Sequence, residues 1–94
     1  MAYILVHHKV EDYNKFKPVF DSHASFRSEG GSRGGKIFRS TNDPNELFVL
    51  LEWDSLANAQ KFAQSDGIKE AMKNAGVVGM PAIYFVEEAA TTSK

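Results

Sequence analysis

Three short stretches of the sequence carry apolar side chains at consecutive positions, and this pattern limits the possible folds more than any other. The stretches are residues 4–6, 47–51 and 83–86, and they are rich in the β-branched and aromatic residues that favour strands. A sheet with one solvated face should instead alternate apolar and polar positions along each strand. Because these strands do not alternate, we expect both faces of the sheet to be buried.

Segments with helical periodicity separate the strands and set the order β-α-β-β-α-β. Between Tyr13 and Phe26 the apolar side chains recur three and four residues apart, which is typical of an amphipathic helix. The predicted strands are residues 2–8, a strand that begins at about residue 36, residues 46–53 and residues 81–88. The predicted helices cover about residues 11–30, 55–64 and 68–75. This order predicts a ferredoxin-like α+β fold, in which the helices pack on one face of a four-stranded antiparallel sheet.

The chain of 94 residues is long enough for one hydrophobic core and no more. We assign residues 1–88 to a single domain and residues 89–94 to a disordered polar tail. A domain of this size buries only about 60–65% of its unfolded surface, and no further element is left to cover the second face of the sheet. The sequence therefore predicts a homodimer that forms through the open sheet face.

Charge and composition exclude several classes of partner. The net charge is −1, so we expect neither the basic face that nucleic acid requires nor a polybasic contact with a membrane. The chain has no cysteine, which excludes disulfides and thiolate sites, and their absence from so small a domain favours a cytoplasmic location. The N-terminal MAYILVHHK lacks the features of a signal peptide, and no apolar run approaches the ~18 residues of a membrane span.

His23 is the first candidate for a functional residue. It lies on the predicted apolar face of the first helix with Phe16 and Phe20, which are candidate pocket walls. One interpretation is a buried structural histidine with a single hydrogen bond, and the other is a general acid or base. Packing alone does not require an imidazole on a helix face that already carries several apolar residues. We therefore name His23 as the candidate catalytic residue.

His7 and His8 form an adjacent pair that invites a metal-site interpretation. Neighbouring side chains of a strand point to opposite faces of the sheet, so one ion cannot bind both without a break in the strand. The chain also has no cysteine to complete a ligand set. We therefore predict no metal site, and we interpret both residues as solvent-facing or hydrogen-bonded histidines at a strand end. His7 is also a candidate polar contact for a ligand.

The sequence resembles the dimeric α/β-barrel proteins, and within them the antibiotic biosynthesis monooxygenase-like and cyclase-like branch. The similarity runs over residues 3–88 and is sharpest where a strand ending in Glu52-Trp53-Asp54 precedes a helix that reaches Phe62. The resemblance implies homodimers joined sheet to sheet, with a small pocket between helices and sheet in each subunit. Members include cofactor-free monooxygenases acting on aromatic polyketides, haem-degrading enzymes and small isomerases.

The resemblance also bears on individual residues. Trp53 matches the family pattern, and we interpret it either as a wall that stacks on a planar substrate or as a core residue that needs a partner for its indole N–H. Tyr84 is an additional candidate polar contact. Haem-degrading members carry a histidine after the tryptophan strand, whereas no histidine follows Trp53 here. We therefore expect no haem and no other cofactor.

Three functions fit these features. The leading hypothesis is a small enzyme that acts on a planar or polyketide-like molecule, as a cofactor-independent monooxygenase or as a cyclase or isomerase. The second is a non-catalytic, ligand-binding or stress-associated homodimer that uses the same pocket for a small aromatic or apolar ligand. The third is a protein whose own side chains fill the pocket and whose role is assembly.

Overall fold

The computed structural model describes residues 2–94, so the predicted domain start at residue 1 lies outside the described residues. In chain order the elements are β1 (Ala2–Val10), α1 (Tyr13–Ser22), α2 (Ala24–Gly30), β2 (Ser32–Arg39), β3 (Glu46–Trp53), α3 (Leu56–Ala63), α4 (Asp66–Asn74) and β4 (Val77–Glu87). The strands form one antiparallel sheet in the order β2-β3-β1-β4. This confirms the predicted ferredoxin-like α+β fold. Within residues 2–94, no helix has the length and apolar character needed to cross a membrane.

His23 divides the predicted first helix into α1 and α2. In an uninterrupted helix its backbone N–H would donate to the carbonyl of Val19, four residues earlier. That carbonyl instead accepts hydrogen bonds from Ser22 Oγ at 2.7 Å and from His23 Nδ1 at 2.9 Å, while the His23 N–H donates to the Phe20 carbonyl at 3.3 Å. Side chains that bond to local backbone carbonyls compete with helical hydrogen bonds. Pro18 lies inside α1 without ending it.

β2 and β4 are longer than the sequence pattern predicted. They begin at Ser32 and Val77, in each case about four residues before the predicted start. Both early segments contain a glycine with positive φ, Gly34 at 121° and Gly79 at 71°. Glycine weakens the sequence signal for a strand and often marks irregular pairing. Each strand has a register shift in its early part. Strand pairing nevertheless continues through this segment, although its sequence is typical of a loop.

The hydrophobic core lies between the helices and one face of the sheet. In β3, buried positions alternate strictly with half-buried ones, so Leu47, Val49, Leu51 and Trp53 point toward the helices. Trp53, Ile4 and Leu47 are the largest side chains that are fully buried. The strands therefore alternate in burial although they do not alternate in hydrophobicity.

The other side of the sheet, which we call the open face, carries the alternate set of side chains. Strand pairing brings together Leu5, Leu50 and Tyr84 on this face, and it pairs Phe38 with Phe48. Phe38 is 51% exposed and Tyr84 is 53% exposed. Within one chain, the expectation that both faces are buried is therefore not met. A contiguous exposed apolar surface of this kind is uncommon on a monomeric protein.

Candidate ligand site

A cavity with about 70 Å³ of internal space lies between the helices and the sheet. All four helices contribute to its wall, together with β1, β3 and β4. Most of the lining is aliphatic or aromatic and includes Phe16, Phe20, Phe26 and Met72. Small-molecule sites typically combine such a lining with a few polar groups that orient the ligand.

The polar lining of the cavity, within the described residues, consists of His8, His23 and Arg27. Arg27 is held by Phe20: its Nη1 donates to the Phe20 carbonyl at 2.7 Å, and its guanidinium lies 3.8 Å from the centroid of the Phe20 ring. Burial lowers the pKa of Arg27, and the charge of Asp21 raises it in part. Because Arg27 already has these contacts, the two imidazoles are the polar groups best placed to meet a ligand.

The hydrogen bond of His23 fixes which of its nitrogens is available. Its Nδ1 lies 2.9 Å from the carbonyl of Val19, which can only accept, so Nδ1 carries the proton in the neutral ring. Nε2 is then left with a free lone pair, as a general base requires. His23 lines the cavity with Phe16 and Phe20, and the structure thus brings three of the predicted site residues together.

His8 also lines the cavity, and the expectation that it faces solvent or sits at a strand end is wrong. Its side chain is buried, and its Nδ1 has no hydrogen-bond partner among the described residues. Burial lowers the pKa of His8 to about 4, with a smaller contribution from the neighbouring His7. The ring is therefore neutral at physiological pH.

The other three predicted site residues lie outside the cavity. Trp53 is fully buried in the core, where its ring packs 4.7 Å from that of Phe62, a cavity residue, and its indole N–H has no partner among residues 2–94. Tyr84 pairs with Leu5 on the open face. His7 is on the same face, because its strand position alternates with that of the buried His8. The alternation of the strands thus separates Tyr84 and His7 from the cavity.

His7 has partners of its own on the open face. Its Nε2 donates to Glu46 at 2.9 Å, and its ring stacks on Phe48 with centroids 4.4 Å apart and an interplanar angle of 4°. Metal ligation is not supported by this arrangement. No three His, Cys, Asp or Glu side chains of the described part of the chain come together in a geometry that could hold an ion.

The sequence contained a signal for His8 that the pattern of apolar runs obscures. Each strand has two phases, the alternating sets of side chains that point to opposite faces of the sheet. In β3 the charged residues Glu46 and Glu52 belong to one phase, and the other phase is purely apolar, which marks it as the core side. In β1 the single lysine, Lys9, likewise shares its phase with His7. His8 then belongs to the core phase. Reading the phase from charges, rather than from the length of the apolar run, would have identified it.

Comparison with known proteins places the fold in one family. The family model for antibiotic biosynthesis monooxygenase matches residues 2–74. Comparison with curated proteins gives no significant match.

Several solved structures have the same fold at low sequence identity. SnoaB, a cofactor-independent oxygenase from Streptomyces nogalater, superposes with a TM-score of 0.79 at 13% identity, over 99% of this chain and 97% of that one. A protein from Bordetella bronchiseptica, provisionally named an antibiotic biosynthesis monooxygenase, gives 0.78 at 16% identity, over 95% and 97%. A similarly named protein from Caulobacter crescentus gives 0.72 at 19% identity, over 95% and 90%. These likenesses concern the fold, whereas the family model covers most of the sequence. The chain belongs to the antibiotic biosynthesis monooxygenase family.

Proposed function

We propose that the protein is a small enzyme that acts on a planar, largely apolar molecule in the cavity between helices and sheet. The observation that carries this proposal is the cavity itself, which has an aromatic lining and two imidazoles in a wall otherwise made almost entirely of hydrocarbon. Family membership supports a monooxygenase-type reaction, and the similarity to SnoaB, a cofactor-independent oxygenase, favours one without an added cofactor. A cyclase or isomerase reaction is the variant that uses the same acid–base chemistry.

The size of the cavity sets a condition on the ligand. An apolar cavity of about 150 Å³ binds benzene, whereas this one has about 70 Å³. An aromatic ligand must therefore widen it. We infer that it widens at the break between α1 and α2 at His23 and at the neighbouring Phe26, which is 39% exposed.

His23 is the acid–base residue in this proposal. Its Nδ1–H is held by the Val19 carbonyl, so Nε2 can take a proton from a hydroxyl or an acidic C–H of the substrate. Phe16 and Phe20 form the adjacent wall, with rings 5.6 Å apart. Trp53 supports a different part of the cavity lining indirectly, through Phe62.

The homodimer belongs to the same proposal. We infer that a second copy covers the open face, because Phe38 and Tyr84 stay exposed there in one chain and none of the neighbouring Leu5, Phe48 and Leu50 is fully buried. A specific interface buries about 800 Å² per partner, and a four-stranded sheet face is large enough to supply it. The cavity is on the opposite side of the sheet, so each subunit would keep its own site.

The test measures oxygen consumption with a panel of hydroxynaphthalenes and hydroxyanthracenes, with no cofactor added. Replacing His23 by Leu should lower turnover by about 10²-fold, the usual contribution of a general acid–base group. The thermal midpoint should change little, because the imidazole leaves no buried partner unsatisfied other than the Val19 carbonyl, which Ser22 still bonds. A large loss of thermal stability with turnover unchanged would assign His23 a structural role instead.

A second candidate function is ligand binding without catalysis. It is favoured by the low pKa of His8 and by the lack of any carboxylate in the cavity wall within residues 2–94, which together leave His23 as the one acid–base group. Saturable binding of the same panel with no oxygen uptake and no product would support this alternative. The hypothesis that the chain's own side chains fill the pocket is disfavoured by the open space beside His23.

A further inference from the structure

We propose that His8 is the hydrogen-bonding anchor of the cavity and that it selects an aromatic ligand carrying a hydroxyl group, a phenol or its enol equivalent. This inference rests on the proposed function, since it assumes that the cavity takes a small molecule. It deepens that function by assigning the residue that holds the substrate hydroxyl.

The first observation is an unmet hydrogen bond. The side chain of His8 is 6% exposed, lines the cavity, and has an Nδ1 without a partner among the described residues. Its ring lies at 5.5 Å from that of Phe16, so its surroundings are aromatic rather than polar. Burying a polar group without a partner costs free energy. A ligand hydroxyl that reaches Nδ1 as the cavity widens would remove that cost on binding.

The second observation is an irregularity in the sheet opposite His8. Between His7 and Lys9, β1 advances by two residues, while β4 runs from Ala82 to Val78, a span of four. β4 therefore bulges there, and none of its residues pairs with His8. Bulges are common next to active sites, where they change the direction of side chains or interrupt pairing. Here the bulge leaves His8 without a paired residue in β4, whereas pairing resumes at Lys9 and Val10.

The protonation state of His8 limits what it can do. With a pKa of about 4, its ring stays neutral at pH 7 and is a poor general base, since efficient bases titrate near the working pH. A neutral imidazole offers one N–H and one lone pair, which match a hydroxyl group in either direction. The division of roles is then clear: His8 holds the hydroxyl, and His23 is the residue that exchanges a proton.

The experiment compares two probes of nearly the same shape, phenol and toluene, by NMR titration of ¹⁵N-labelled full-length protein. For the native protein, phenol should shift the ring ¹⁵N signals of His8 and toluene should not. In His8→Leu, the ratio of the toluene Kd to the phenol Kd should fall about tenfold, because the phenol hydroxyl is then buried without a partner. His8→Gln, which keeps a polar group, should retain part of the preference. His7→Leu is the matched control on the open face and should leave the ratio unchanged.

The outcomes separate the two proposals. If neither probe binds the native protein, the ligand-binding cavity is refuted and the anchor with it. If both probes bind but the ratio is the same in His8→Leu, only the anchor is refuted. If His8→Leu unfolds, the His8→Gln ratio and the ¹⁵N shifts decide. A loss of stability in His8→Leu with unshifted His8 signals would instead identify His8 as a structural residue bonded to buried water.

Discussion

His7 and His8 are chemically identical neighbours whose environments differ in every respect that matters for function. His7 is on the open face, half-exposed, bonded to Glu46 and stacked on Phe48. His8 is in the core, buried, and has an Nδ1 without a partner among residues 2–94. The difference teaches that the sheet separates two environments: one side faces a cavity, and the other presents an apolar surface. Position relative to the sheet, rather than residue type, decides which histidine contributes to which side.

The largest expected effect is on folding and self-association. It comes from placing a carboxylate at one of two adjacent residues whose side chains point to opposite sides of the sheet. Val49→Asp puts a carboxylate at a core position that is 3% exposed, and we expect it to cost more than about 4 kcal/mol and to unfold the chain. Leu50→Asp, one residue later on the open face, should fold but no longer self-associate. Circular dichroism reports folding, and light scattering should give twice the chain mass for the native protein and the single mass for Leu50→Asp.

Two results would contradict this contrast between the faces. If Leu50→Asp unfolds as completely as Val49→Asp, then folding depends on the second copy and the faces are not independent. If Leu50→Asp keeps the native mass, then the open face is not the contact between subunits.

The next effect is a pH dependence of the free energy of unfolding, and of the two neighbouring histidines only the buried His8 should produce it. Burial lowers the pKa of His8 to about 4 from 6.5. Between pH 6.5 and 4, His8 is therefore protonated in the unfolded chain but remains neutral in the folded chain. Stability is therefore complete above about pH 6.5 and decreases as the pH falls toward 4. The difference between the two pKa values corresponds to about 3 kcal/mol. Urea unfolding at a series of pH values measures it.

The control for this pH series is the neighbouring histidine. His8→Leu should remove most of the slope between pH 6.5 and 4, whereas His7→Leu should leave most of it, changing only the small contribution of His7 to the pKa of His8. The other polar groups that line the same cavity, His23 and Arg27, are present in both variants. An equal slope in native protein and His8→Leu would show that His8 is not protected from protonation.

The smallest effect concerns the ion pair on the open face. His7 and Glu46 are 41% and 28% exposed and their atoms are 2.9 Å apart, and pairs of this kind contribute less than about 1 kcal/mol. We expect His7→Ala in the Leu50→Asp background to lower the free energy of unfolding by no more than that, in urea titrations at pH 6. Glu46→Gln is the matched variant. A loss above about 2 kcal/mol would mean that the pair is buried even in the isolated chain.

The sequence predicted the fold and one wall of the site, for reasons that are local. The periodicity between Tyr13 and Phe26 places Phe16, Phe20 and His23 on one helix stripe, and a stripe must face the sheet whatever the details of packing. Those three residues do line the cavity.

The strand residues could not be placed in the same way, because a run of apolar residues does not reveal its phase. Tyr84 and His7 were expected to contact a ligand but lie on the open face for this reason: which alternate set faces the helices follows from strand pairing across the sheet. Trp53 is in the correct phase, but its contact with Phe62 rather than with the cavity depends on how α3 packs. The bulge in β4 depends on long-range register, which no local signal specifies.

The strict alternation of β3, and of β1 around its two histidines, has a consequence for how this sequence can evolve. Positions that shape the cavity and positions that shape the outer surface are interleaved but not shared, so point substitutions can change the proposed ligand preference and the proposed self-association separately. A single-residue insertion or deletion in mid-strand is different, since it would exchange the two sets beyond that point and turn His7 inward in place of His8. Descendants of this chain should therefore vary in length at the β2–β3 turn, residues 40–45, and keep the lengths of β1 and β3 constant.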